Sequence, residues 1–192
     1  MIFVIYNFKG GEGKSKIALN LAMTMDYSII TNDVFTPIEN VLPENRVLKI
    51  HPNQDFPDVK KTDKIIFDLG GYPDQRVVKI LKLAKYILVP ITNEDDNIQV
   101  GINAVDAIAE YNNNIVIIAN KTERGDYEYI KGDLSKIYKY PIFNIKKSTA
   151  LNKLSRRKKS IQDVVDSDPL LRYSYKAIHQ QFVDLIDFIS EE

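Results

Sequence analysis

Ile2-Phe3-Val4-Ile5-Tyr6-Asn7-Phe8-Lys9-Gly10-Gly11-Glu12-Gly13-Lys14-Ser15 is the stretch on which the fold turns. An apolar run leads into a glycine-rich turn, and a helix-forming run opens near Lys14. Strand, turn and helix in that order make a phosphate cradle. Because Gly10, Gly11 and Gly13 carry no Cβ, backbone N–H groups can converge on an anion. The helix adds its unpaired N–H groups and the positive end of its dipole. Lys14 is placed to reach β- and γ-phosphates, and the Ser15 hydroxyl to bind Mg²⁺. Lys16, in the same turn, joins them as a nucleotide-binding candidate.

Outward from the loop, apolar periodicity sorts the chain into alternating elements. Helices are predicted over residues 14–25, 74–84, 95–111 and 126–137, and strands over 27–31, 46–50, 86–91, 114–119 and 140–145. Residues 32–44 and 51–61 read as proline-punctuated loops, the first with room for a short helix. The short link to the 27–31 strand suggests that it lies beside the first strand. Helical pieces at 151–154 and 161–165 flank a basic run. Asp168-Pro169 starts a final helix, whose stripe is Leu171, Tyr175, Ile178, Phe182, Leu185, Ile186 and Ile189. Such alternation indicates an α/β fold: a doubly wound, mostly parallel sheet flanked by helices, as one domain over residues 1–192.

Lys64-Ile65-Ile66-Phe67-Asp68-Leu69-Gly70-Gly71 is the second informative stretch. An apolar strand ends in Asp68 at the carboxyl edge, where open α/β sheets bind ligands. Asp68 is the candidate for holding Mg²⁺, directly or through water. By itself it would equally be a strand-terminal Asp capping a turn.

The composition sets bounds. A chain of 192 residues can bury a substantial core, and 44% hydrophobic and 27% charged residues are ordinary for a globular protein. Net charge is +0, so any affinity for nucleic acid must come from a local patch. With Cys 0, disulfides and thiolate metal sites are excluded. The first apolar run is too short for a signal peptide or a membrane span, so the expected location is cytoplasmic. His51 and His179 are distant from each other and read as surface or packing residues.

The ordinary phosphate-loop spacing asks for glycine at position 8, where Phe8 stands; an extra lysine, Lys9, opens the loop instead. Asn7 to Ser15 thereby resembles the deviant Walker A box of the ParA/MinD family of P-loop ATPases. The competing reading is a glycine-rich turn in a Rossmann-like protein without a nucleotide; strand before and helix after favour the nucleotide. The strand ending in Asp68, Ala84-Lys85-Tyr86-Ile87-Leu88-Val89-Pro90 and Asn120-Lys121 follow in family order. The resemblance implies ATP and Mg²⁺ as cofactors, slow or partner-stimulated ATP hydrolysis, and an ATP-dependent homodimer in which Lys9 reaches the partner's nucleotide. Added cations offset repulsion between two facing polyphosphates. It also implies that Asn120 contacts adenine, since its amide offers both donor and acceptor, and that Gly70 and Gly71 lie near the γ-phosphate. The family's Asp-x-Asp-Pro switch is poorly kept: Ile30-Thr31-Asn32-Asp33-Val34-Phe35-Thr36-Pro37 supplies one aspartate. Asp33 is the catalytic candidate, with Lys9 and Lys14.

Lys146, Lys147, Lys153, Arg156, Arg157, Lys158 and Lys159 form the one local cationic cluster. Partition-type relatives bind DNA nonspecifically through basic residues near the C-terminus, and pairing two patches in a dimer would raise avidity. The plainer reading is a solvated basic face. Tyr138, Tyr140 and Phe143 nearby read as strand packing. A membrane-binding tail is disfavoured, because Asp184 to Glu192 is acidic. The expected function is a ParA-like partition or positioning ATPase with a ParB-like or other protein partner. The alternative is a nucleotide-gated protein scaffold with little hydrolysis and no DNA binding.

Overall fold

The structure, a computed structural model, describes residues 1–71, 74–94 and 97–191. Strands β1 (Ile2–Asn7), β2 (Ser28–Thr31), β3 (Val47–Lys49), β4 (Ile65–Gly70), β5 (Tyr86–Ile91), β6 (Ile115–Thr122) and β7 (Ile142–Lys146) form one sheet. Their order is β3-β2-β4-β1-β5-β6-β7, and every pairing is parallel. The α-helices among the described residues are α1 (Lys14–Met25), α2 (Gln75–Leu83), α3 (Asn97–Ala109), α4 (Asp126–Ile137), α5 (Thr149–Asn152), α6 (Leu154–Arg157), α7 (Ile161–Ser167) and α8 (Pro169–Ser190), and short 3-10 turns lie at Ile38–Asn40 and Glu44–Arg46. The start of the helix expected over 95–111 lies outside the described residues.

Side chains alternate across each strand, so one sheet feeds two cores. Phe3 and Ile5 of β1 join Ile29, Ile66, Leu88, Val116 and Ile145 under α1, α7 and α8. Ile2, Val4 and Tyr6 join Phe67, Leu69, Ile87, Val89 and Ile117 under α2, α3 and α4. Helices on both faces make the sheet doubly wound. The aromatic residues near the basic run do pack: Tyr138 stacks on Tyr140, and Phe143 leans on Phe188 of α8.

Two expectations are corrected. β2 does not lie beside β1, because β4 stands between them. A helix about 10 Å across covers two strand spacings of about 4.8 Å, so the crossover through α1 can skip one place. β4, whose Ile66, Phe67 and Leu69 are fully buried, fills it with a neighbour on each edge. The second correction is that β6 runs on through Thr122, so Asn120 and Lys121 lie within the strand. Pairing with β7 carries it past residue 119, and an irregularity between Asn120 and Thr122 sets Lys121 at φ 54.

Because all strands run parallel, the loops after β1, β2, β4, β5 and β6 gather along one edge. No helix among the described residues is long and apolar enough to cross a membrane.

Candidate nucleotide site

At that edge the loop between β1 and α1 borders a cavity of about 570 Å³. Gly10, Gly11, Gly13, Lys14, Ser15 and Lys16 line one side, and Asn32, Asp33, Asp68, Gly70 and Gly71 the other. The loop is held in a cradle by its own carbonyls. Lys14 Nζ donates to the Lys9 carbonyl at 2.8 Å, Lys121 Nζ to that of Gly11 at 2.6 Å, and Asn120 Nδ2 to that of Glu12 at 2.6 Å. Gly13 stands at the start of α1 with φ 85 and provides no side-chain cap. The first N–H groups of α1 are therefore left for an anion. A Cβ at Gly13 would stand 2.5 Å from Asn120 Nδ2, so the close approach of loop and strand depends on glycine there.

Lys14 sits with its ammonium beside Gly70, where a Cβ would come within 3.4 Å of Nζ. Burial pushes its pKa down, against the charges of Asp68, Glu12 and Asp33. Asp68, 2% exposed, faces the same charge. Burial pushes its carboxyl up to about 6, opposed by the Ser15 hydroxyl and the Lys14 ammonium, while Asp33 reinforces the rise. Among the described residues Asp68 Oδ2 is buried without a hydrogen-bond partner. A buried, unsatisfied carboxylate oxygen beside a hydroxyl suits a hard divalent cation with oxygen ligands. Ser15 and Asp68 thus fit Mg²⁺; no larger cluster of acidic or imidazole ligands stands among the described residues.

Asp33 lies exposed on the cavity rim. Its N–H donates to Thr31 Oγ1 at 3.0 Å, and its Oδ1 accepts from the Phe35 N–H at 3.1 Å. Lys9 does not line the cavity: its ammonium is hydrogen-bonded to the Asn97 side chain of its own chain. Asn120 reaches the loop with Nδ2, while its Oδ1 is buried and unpartnered among the described residues. Beside it a second cavity of about 240 Å³ is lined by Lys16, Asn120, Lys121, Lys146, Lys147 and Asn152.

The structure divides the basic cluster. Lys146 and Lys147 border the second cavity, and Lys147 pairs with Glu123 at 2.6 Å. Arg157 stands over the Tyr175 ring, 5.8 Å from its centroid. Lys153, Arg156, Lys158 and Lys159 are exposed. Of the two histidines, His51 is exposed and His179 bonds Gln162 at 2.6 Å.

Sequence reasoning missed Glu12 and Asn32. Glu12 is 2% exposed and accepts the Thr92 N–H at 3.0 Å. Burial pushes its carboxyl up, against that hydrogen bond and the charges of Lys121 and Lys9. A carboxylate inside a phosphate loop was the visible signal for Glu12. Asn32 had none, because its partner is backbone.

No family model matches the chain, and no curated protein matches it. Solved structures do. A complex of Cyanothece McdA with ATP, solved for a single-residue variant, is 11% identical with a TM-score of 0.64, covering 94% of this chain and 95% of that one. A ParA family ATPase from Chlorobium tepidum is 16% identical at 0.61, covering 93% and 98%. MinD from Pyrococcus horikoshii, complexed with Mg-ADP, is 11% identical at 0.60, covering 88% of each. At such identities the likeness is one of fold, and the fold of this chain is that of the ParA and MinD P-loop ATPases.

Proposed function

We propose that residues 1–192 act as one ATPase domain that binds ATP with Mg²⁺, pairs with a second copy while ATP is bound, and then holds duplex DNA nonspecifically in a partition or positioning device. The observation that carries this reading is the preformed cradle facing the unsatisfied Asp68 oxygen, with Lys14 and Ser15 between them. Fold neighbours bound to ATP and to Mg-ADP support it. Mg²⁺ held by Ser15 and Asp68 would neutralise phosphate charge. Lys14 takes the β- and γ-phosphate oxygens, and the N–H groups of residues 10–15 surround the chain of phosphates. Asp33, on the rim, orients the water whose oxygen attacks the γ-phosphorus; the bond to the β-phosphate oxygen breaks and ADP leaves. Lys9, released from Asn97, crosses to the partner's nucleotide. Asn120, through its free Oδ1, and Lys16 take the base end, and Lys153, Arg156, Lys158 and Lys159 with their neighbours take DNA phosphates. A ParB-like or other protein would stimulate turnover.

The scaffold reading, without DNA binding, draws on the same site: one Asp33 oxygen is already engaged by Phe35, and the second aspartate of the switch is missing. Anisotropy of random-sequence duplex DNA separates the two. The partition reading expects binding with ATP–Mg²⁺ but not ADP–Mg²⁺, a steep salt dependence, and loss of most of it when Lys153, Arg156, Lys158 and Lys159 become alanine. No binding in any nucleotide state leaves the scaffold.

A further inference from the structure

Asn32 ties the two halves of the cavity wall together. Its Nδ2 donates to the Gly70 carbonyl at 2.9 Å, and its Oδ1 accepts the Gly70 N–H at 3.1 Å. A carboxamide presents one donor and one acceptor side by side, so it closes a two-bond ring on a single peptide residue. Neither Asp, which lacks the donor, nor Leu, which lacks both groups, can make that ring. Its effect is local and directional. Gly70 ends β4, two residues beyond Asp68, and packs against the Lys14 ammonium. Asn32 directly precedes Asp33, whose own N–H is fixed to Thr31 Oγ1 at the end of β2. The loop after β2 alternates exposed and buried residues, Phe35 being 93% accessible and Thr36 5%, and Lys49 Nζ also donates to the Val34 carbonyl at 3.1 Å. On the side facing the cavity, the Asn32 ring and Thr31 fasten Asp33 to the frame that holds Lys14 and Asp68.

We infer that Asn32 is a positioning residue for the hydrolytic step: it sets the carboxylate of Asp33 against the γ-phosphate end of the cavity by clamping the β2 loop to Gly70. This rests on the proposed ATPase function. The clamp closes on Gly70, beside the Lys14 ammonium, but its two hydrogen bonds join no residue of the phosphate loop, so its loss is expected to act on turnover more than on nucleotide binding. A displacement of about 1 Å in a water-orienting group costs on the order of 100-fold in rate.

Asn32→Leu and Asn32→Asp, compared with the intact protein and with Asp33→Ala, test it. Single-turnover hydrolysis of ATP–Mg²⁺, calorimetric affinity for a nonhydrolysable ATP analogue, and amide exchange over residues 32–36 and Gly70 are the readouts. Both Asn32 variants should lose about 10- to 100-fold in rate, keep analogue affinity within about threefold, and exchange faster at Gly70 and Phe35. A rate within about twofold of the intact protein, in variants that bind the analogue normally, overturns the inference while the ATPase reading stands. Loss of analogue binding in parallel with rate overturns it too, since the role would then be structural. If the intact protein binds no nucleotide, the ATPase reading fails, and the inference falls with it. If it binds nucleotide without turnover, there is no hydrolytic step to position, and the inference is overturned together with the hydrolytic part of the ATPase reading.

Discussion

Lys14 and Asp68 are the pair in which the chemistry of the site is concentrated, and burial acts on each differently. Burial works against the Lys14 ammonium, which donates to the Lys9 carbonyl and is favoured by the charge of Asp68. Lys14→Ala removes both the cation and a tie of the loop, so ATP affinity measured by calorimetry should fall beyond detection; unchanged affinity would overturn the assignment of the cradle. Asp68 has the opposite problem, an oxygen with no partner. Its carboxyl is pushed from 3.8 to about 6, so the fold holds this proton more tightly than the unfolded chain does. The stabilisation is fully present below pH 3.8 and is lost as pH rises through about 6, a change of about 3 kcal/mol at about 1.4 kcal/mol per pH unit. Without nucleotide, Asp68→Asn should therefore gain on the intact protein in denaturant melts as pH rises from about 4 to about 7. A constant difference would remove Asp68 from the titration. ATP–Mg²⁺ should flatten the dependence, because the cation takes the ionised form.

At the scale of elements, the phosphate loop is a seam between β1, α1 and β6. Gly13 permits that seam: its φ of 85 and the 2.5 Å from a would-be Cβ to Asn120 leave no room for alanine. Gly13→Ala carries about 1–2 kcal/mol of backbone strain and displaces the Asn120 hydrogen bond to the Glu12 carbonyl. The melting temperature should drop by several degrees, and ATP affinity by more than about tenfold; a variant that melts and binds like the original would show that the loop is not set by this contact. A parallel tie anchors the basic run. Asn20 Oδ1, buried on α1, accepts the Ile161 N–H at 2.8 Å and so caps the start of α7 from across the core. Asn20 is buried among the apolar residues of α1, and the hydrogen bond to Ile161 satisfies its oxygen there.

For the whole molecule, a neutral chain gathers its candidate site on one edge, and the proposed pairing with a second copy involves that edge. Lys9 is held within its own chain by Asn97, so crossing to a partner's phosphates requires exchanging an amide oxygen for a charged acceptor, which is favourable only when nucleotide is present. Lys9→Ala should bind ATP within a fewfold of the original and remain monomeric by light scattering at ATP concentrations that pair the intact protein. A normal dimer would remove Lys9 from the interface. Much of this was legible in the residues alone. Local periodicity predicted α1, α2, α4, β5 and α8 nearly to their observed ends, because one-sided burial writes itself into 3.6- and 2-residue patterns. The order of strand, glycine turn and helix, with Gly13, Lys14 and Ser15 at the turn, pointed to the cradle, because a helix start and a glycine turn are local structures. What the sequence by itself determined was therefore the alternating α/β class and the position of the glycine loop between β1 and α1. Tertiary structure alone decided that β4 separates β1 from β2, that Asn32 clamps Gly70, that Asn120 and Lys121 hold the loop's carbonyls and that Lys9 rests on Asn97. The hydrogen bonds among these join residues 38 to 110 positions apart, and three of the four end on a backbone carbonyl, a group every residue carries, so only the folded path of the chain could select among them.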